Sequence, residues 1–257
     1  MDVATPIGVV LGFAVVIVAN IMEGGHPSSL FLLPPMLLVI GGTLMATIAG
    51  GTMADAKKAG AGLKRAFTGK VAPASDLVPH IITLAERARR EGLLALEDGL
   101  REIEDPFLIK GVTMAIDGTD PEELRDILEA EVAAKKAEDK QAAKFFTDAG
   151  GYSPTIGIIG TVMGMVHVLE NLTTPAALGP LIAGAFVATL WGVGAANLFW
   201  LPVGSRLRRL GALEAARMEL AVEGISAIQS GSNPRLVAEK LKSLLPADQQ
   251  QSTDEAA

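Results

Sequence analysis

The 257 residues include 49% hydrophobic but only 4% aromatic side chains, no cysteine, and a formal net charge of −7. The lack of cysteine excludes disulfide scaffolding and thiolate chemistry. The apolar residues are gathered in blocks rather than spread through one core, which excludes an ordinary soluble domain.

The first block runs from Ala4 to Met22 and the second from Ser29 to Ala49. Each approaches the about 20 residues needed to cross a hydrocarbon layer of about 30 Å. A secretory signal peptide competes for the first block, but no basic residue precedes it and a second block follows closely. ADAKKAGAGLKRAF then continues as a basic helix whose Lys57, Lys58, Lys64 and Arg65 suit an anionic inner leaflet, so membrane lipid is an expected partner.

SDLVPHIITLAERARREGLLALEDGLREIED predicts two helices meeting near Gly92, with Ser75 as N-cap of the first. Asp105 and Pro106 cap and start FLIKGVTMAID. In DGTDPEELRDILEAEVAAKKAEDKQAAKFF, Asp120 is the N-cap, Pro121 the first helical residue, and Glu122 and Glu123 the acids of the first turn. The third apolar block, Ser153 to Leu169, is expected to start a helix at Pro154, and the fourth runs from Ala177 to Leu201. Val203 to Leu245 predicts a further helix and PADQQQSTDEAA a disordered tail. The expectation is an all-α membrane protein with four spans. Its parts are residues 1–52 (two spans and a short outer loop), 53–152 (a helical cytoplasmic domain), 153–202 (two spans) and 203–257 (a cytoplasmic helix and tail).

None of the 22 Lys and Arg residues lies in 1–52 or 154–202; 15 lie between Lys57 and Lys144 and 7 between Arg206 and Lys242. The positive-inside rule therefore places both basic segments and both termini in the cytoplasm, leaving EGGHPSS and NLTTPAA outside.

Enzyme motifs are missing. His26, His80 and His167 are scattered without zinc spacing, GLKRAFTGK has the wrong spacing for a phosphate loop, and no nucleophile elbow is present. No cofactor, metal or nucleic-acid partner is expected. His167 is an ionisable group in a span, which points to function, although Glu170 three residues on makes an interfacial role equally reasonable. Gly160 and Gly164 form a GxxxG, with Gly157 before it, and Gly184, Ala188, Gly192 and Ala196 recur every four residues, a spacing that lets helix backbones approach closely in lipid. Thr161 and Thr189 add hydroxyls that either bond back to their own helices or face a watery path. Between their ends the spans hold no carboxylate, which a proton relay requires. Another chain must supply the acid.

PTIGIIGTVMGMVHVL, LGPLIAGAFVATLWGVGAANLFWLPV, ARREGLLALED and DGTDPEELRDIL together resemble the MotA/TolQ/ExbB ion-channel family, and the last two stretches point to its flagellar stator branch, MotA. The resemblance implies a bacterial inner-membrane subunit, not an enzyme, that forms a ring of five around a MotB-like partner carrying the membrane aspartate. Ion flow would then drive torque on the rotor protein FliG. It further implies that Pro154 and Pro202 couple conformation at the span ends, that Thr189 with Ala188 and Thr161 lines the ion path, and that Arg89 or Arg90 with Glu97 meets the rotor. Thr161 and Thr189 together are a sodium-type feature, whereas Ala188 and GMVHVL look proton-driven. Protons are the preferred coupling ion. An outer-membrane energiser of the ExbB or TolQ type and a non-conducting scaffold are the alternatives.

Overall fold

The computed structural model describes residues 3–247, 249 and 250, all of them helix, turn or irregular chain with no strand. Helix α1 is Ala4–Met22, α2 Leu33–Ala49, α3 Met53–Thr68, α4 Leu77–Glu91 and α5 Pro106–Ile116. Then follow α6 Pro121–Glu170, α7 Pro175–Gln229 and α8 Pro234–Leu244. Three of them, α1, α6 and α7, are long and apolar enough to cross a membrane. The second expected span is shorter, because Pro34 and Pro35, tolerated only in a first helical turn, delay α2 to Leu33.

The chain forms two compact units, one of residues up to Lys70 with Asp139–Arg209, the other of Val71–Glu138 with the described residues from Leu210 on. The boundaries expected after residues 152 and 202 fall inside α6 and α7. Pro154 does not start a helix but lies within α6. Likewise Pro202 lies within α7, directly after a π turn at Ala196–Trp200. That wider turn displaces the carbonyls which a proline ring would otherwise strike. The expected helix from Val203 to Leu245 is therefore the continuation of the fourth span as far as Gln229, and Gly231 at φ +64° separates it from α8. Residues 251–257 of the expected tail lie outside the described residues.

In the first unit α1 buries no residue, as suits a helix whose whole surface is apolar. Trp191 anchors the loop between α1 and α2: its indole donates to the Leu30 carbonyl at 2.6 Å and stacks on Phe13 at 5.9 Å. α3 does not run on from α2 but starts afresh on a reciprocal cap between Thr52 and Asp55. Its Gly62 and Ala66 face a cluster of Ala143, Phe146, Val203 and Leu207. Arg65 forks onto Asp139, which is 5% exposed, with Nη2 to Oδ2 at 3.3 Å. Arg65 is thus a structural cation rather than one offered to lipid.

In the second unit Leu77, Val78, Ile81, Leu84 and Ala85 form the buried stripe of α4, packed on α8 through Val237 and Leu241. Ser75 does not cap α4. It sits in a short 3-10 turn, Ala74–Asp76, and no side chain caps the helix. Asp105 does cap α5, accepting from the Phe107 and Leu108 amides at 3.1 and 2.9 Å, while its other oxygen takes Arg217 Nε at 2.8 Å. Asp120 caps α6 in the expected way, accepting from Glu122 N at 2.9 Å. Glu223 links Arg125 to Lys240. Its carboxyl is held below the ordinary range by the hydrogen bond from Lys240, then that from Arg125, against an opposing push from burial. This contribution to stability is present above the unfolded carboxylate pKa and is lost as pH falls through the lowered folded value.

The Arg65–Asp139 pair gives a direct test. Arg65→Ala removes the guanidinium that forks onto a buried carboxylate and should destabilise the protein by about 3–5 kcal/mol, whereas Arg65→Met with Asp139→Leu should recover most of that loss. Chemical denaturation of the detergent-purified protein measures both; equal losses in the single and double variants would contradict this role for the pair.

Candidate functional site

The most constrained place in the first unit is the seam between α6 and α7. A Cβ added at Gly157 would lie 2.9 Å from the Ala188 carbonyl oxygen and 3.0 Å from Gly192 Cα, and one at Gly192 would lie 2.8 Å from the Ser153 carbonyl oxygen. Added Cβ atoms at Gly160 and Gly164 would each stand 2.6 Å from a Cβ, of Ala188 and Ala185 respectively. The helices run antiparallel, main chain on main chain. The seam continues past the prolines, with Gly150 against Leu201 and Gly204 against Thr147.

Gly184 departs from the expected stripe, since a Cβ there would meet nothing within 4 Å. The contact runs through Ala185, Ala188 and Gly192 instead. An α-helix repeats every 3.6 residues, so Gly184 is turned about 100° from Ala185.

Seam closure brings the two predicted hydroxyls together. Thr161 Oγ1 contacts Thr189 Oγ1 and lies 3.0 Å from the Ala185 carbonyl oxygen and 3.2 Å from that of Gly157. One hydroxyl carries one proton, so Thr161 can donate to a single acceptor while accepting from Thr189. Of the two expectations, the bond to the hydroxyl's own helix is present for Thr161, at the Gly157 carbonyl. Ala188 is only 1% exposed and packs on Gly160.

Sequence reasoning missed Ser153. It is fully buried, and its hydroxyl donates to the Gly192 carbonyl at 2.8 Å, a cross-helix bond one residue before Pro154. The signal available was a hydroxyl between Gly150–Gly151 and a proline. Pro154 withdraws the amide that would bond the Gly150 carbonyl, and Gly150 is the residue on which Leu201 packs. The two prolines therefore weaken the two helices at one level.

Beside the seam lies a groove of about 480 Å³ lined by Leu32, Pro34, Gly160, Gly164, His167 and Ala188 among others. His167 is exposed and is the one ionisable side chain of that lining. Among the described residues no cluster of His, Asp and Glu could hold a metal ion.

In the second unit Arg89 and Arg90 end α4, Gly92 breaks the helix at φ +83°, and Glu97 follows in the short helix Leu96–Gly99. All three side chains are exposed. Around them Arg87 pairs with Glu91 at 3.4 Å, and Asp98 with Arg87 and Arg101 at 3.9 Å. Leu94, 75% exposed, stands between the two groups.

A membrane subunit whose small-residue seam carries hydroxyls but no acid has the build of a channel wall, and the chain belongs to the MotA/TolQ/ExbB proton channel family. Residues 100–220 match that family and residues 6–92 the family described as motility protein A N-terminal. Among curated relatives, the chain is 38% identical to the uncharacterized protein YtxD of Bacillus subtilis, covering 93% of this chain and 89% of that one. It is 34% identical to motility protein A of the same organism, covering 96% and 92%. It superposes on a chain of the flagellar MotAB stator complex from Bacillus subtilis with TM-score 0.90 at 33% identity, covering 97% and 98%.

The seam predicts opposite outcomes for two glycines. Gly157→Ala must separate two backbones and should lower stability by about 1–3 kcal/mol, while Gly184→Ala should be neutral. Thermal denaturation of both purified variants decides, and equal losses would contradict the seam.

Proposed function

We propose that this chain is the stator subunit of a flagellar motor, forming an ion channel with a MotB-like partner and converting ion flow into torque. The observation that carries the reading is the α6–α7 seam, which holds Thr161 against Thr189 in the apolar segments 153–169 and 177–201, where there is no carboxylate. A proton path needs a titratable group there, so the partner contributes an aspartate. The stator complex similar to this chain supports that division of labour. The subunit is an inner-membrane protein, read here as non-enzymatic, with four spans, both termini cytoplasmic, and five copies around the partner. Protons are the proposed coupling ion, with sodium the alternative that Thr161 and Thr189 keep open. Pro154 and Pro202 act as pivots, because each interrupts helix hydrogen bonding at the level where Gly150 meets Leu201. Arg89, Arg90 and Glu97, exposed beside Leu94, are the proposed contact with the rotor protein FliG.

Two experiments test this. Vesicles containing this chain alone should pass no ions, vesicles containing it with its partner should conduct, and Thr189→Ala should reduce that flux; robust flux from the chain alone would refute the shared channel. Arg89→Glu should impair swimming at unchanged membrane levels, and an opposite reversal on the rotor protein should restore it, because like charges facing each other across an interface cost several kcal/mol. Normal swimming by both Arg89→Glu and Glu97→Lys would return these residues to an ordinary solvated surface.

A further inference from the structure

Helix α3 follows α2 after only Gly50, Gly51 and Thr52, and lies on the first unit through Gly62, whose added Cβ would stand 3.3 Å from Phe146 and 3.6 Å from Leu207. Its far end is fixed twice, by Arg65 on Asp139 and by Arg206 Nη2 donating to the Gly69 carbonyl at 3.4 Å. At 3.6 residues per turn, Gly62 and Ala66 point about 180° and 220° from Met53, whereas Lys57 and Lys64 lie within about 40° of it. The face turned away from the protein therefore carries Met53, 63% exposed, followed by Lys57 and Lys64, both exposed.

The charge around this helix is lopsided. Leaving aside the spans and their outer ends, the first unit holds ten Lys and Arg residues against four carboxylates, Asp2, Asp55, Asp139 and Asp148, although the whole chain is at −7. The three among the described residues are engaged: Asp55 in the α3 cap, Asp139 by Arg65 and Asp148 by Lys144. Among the described residues, Lys57 and Lys64 meet no carboxylate.

We propose that this outer face of α3 is a docking surface for acidic phospholipid headgroups of the leaflet that α2 has just crossed. Two arguments choose the occupant. The surplus cations complement an anionic surface, and α3 follows the apolar helix α2 after three residues while offering one apolar side chain, Met53, in line with its lysines, the build of an interfacial helix. The surface rests on the proposed topology, which puts α3 on the cytoplasmic side.

The test uses the complex of this chain and its partner, purified in detergent and titrated with phosphatidylglycerol or phosphatidylcholine while its melting temperature is followed. Phosphatidylglycerol should raise the melting temperature and phosphatidylcholine should not; Lys57→Gln with Lys64→Gln should lose at least half of the rise, Lys57→Arg with Lys64→Arg should keep it, and Lys110→Gln should leave it unchanged. Salt near 1 M, where screening acts over about 3 Å, should abolish most of it. Equal responses to the two lipids, an undiminished rise in the glutamine variant, or the same rise with inorganic phosphate would overturn the proposal. If the glutamine variant does not assemble, the wild-type response in salt decides, with persistence overturning it. Labelling of single cysteines from outside the cell, expected at Ser28 and Thr174 and absent at Ser75, tests the topology separately, so failure of that reading is distinguishable from failure of lipid docking.

Discussion

Two backbones approach between Gly157 and Gly192 more closely than any side chain permits. In hydrocarbon no hydrophobic gain draws helices together, so van der Waals contact and interhelical hydrogen bonds must do so. Both are present, in the glycine and alanine contacts and in the Ser153 hydroxyl on the Gly192 carbonyl. The placement of Thr161 against Thr189 follows from this approach, as does the alignment of the two prolines. Pro154 and Pro202 remove helix hydrogen bonds at one level of this seam.

The outward surfaces of the two units obey different constraints. In the first, α1 leaves exposed apolar side chains such as Val10, Leu11, Val15 and Val18 and buries none fully. In the second, a cluster of apolar side chains is internal, Leu108, Leu128 and Ile225 among them, and ion pairs lie on the outside. Against that background the unpaired charges of Arg89, Arg90 and Glu97 stand out, because their neighbours Arg87, Asp98 and Arg101 do find partners.

Much of this was legible in the sequence, for reasons that differ by feature. Asp105 and Asp120 with their following prolines announce helix starts through local chemistry alone, and both caps form. The small residues of α6 announced a close contact, and the family resemblance is borne out by the matched families and relatives. What stayed hidden depended on tertiary context. Pro154 was read as a helix start, since nothing local tells a first-turn proline from one carried within a long helix held by a neighbour. Gly184 was assigned to the seam because a spacing of four approximates, but does not equal, the helical repeat. Arg65 looked like its neighbouring lysines until Asp139, 74 residues away, appeared beside it.

The π turn at Ala196–Trp200 also sets the phase of α7. Gly192 and Gly204 both face α6, one against Ser153 and Gly157, the other against Thr147 and Ala143. Twelve residues of regular α-helix would leave them about 120° apart, while one extra residue absorbed in a wider turn brings them to within about 20°. The turn works as a phase correction that keeps one face of a long helix on the same neighbour above and below the proline, and a helical wheel drawn straight through residues 196–200 assigns every later residue to the wrong side.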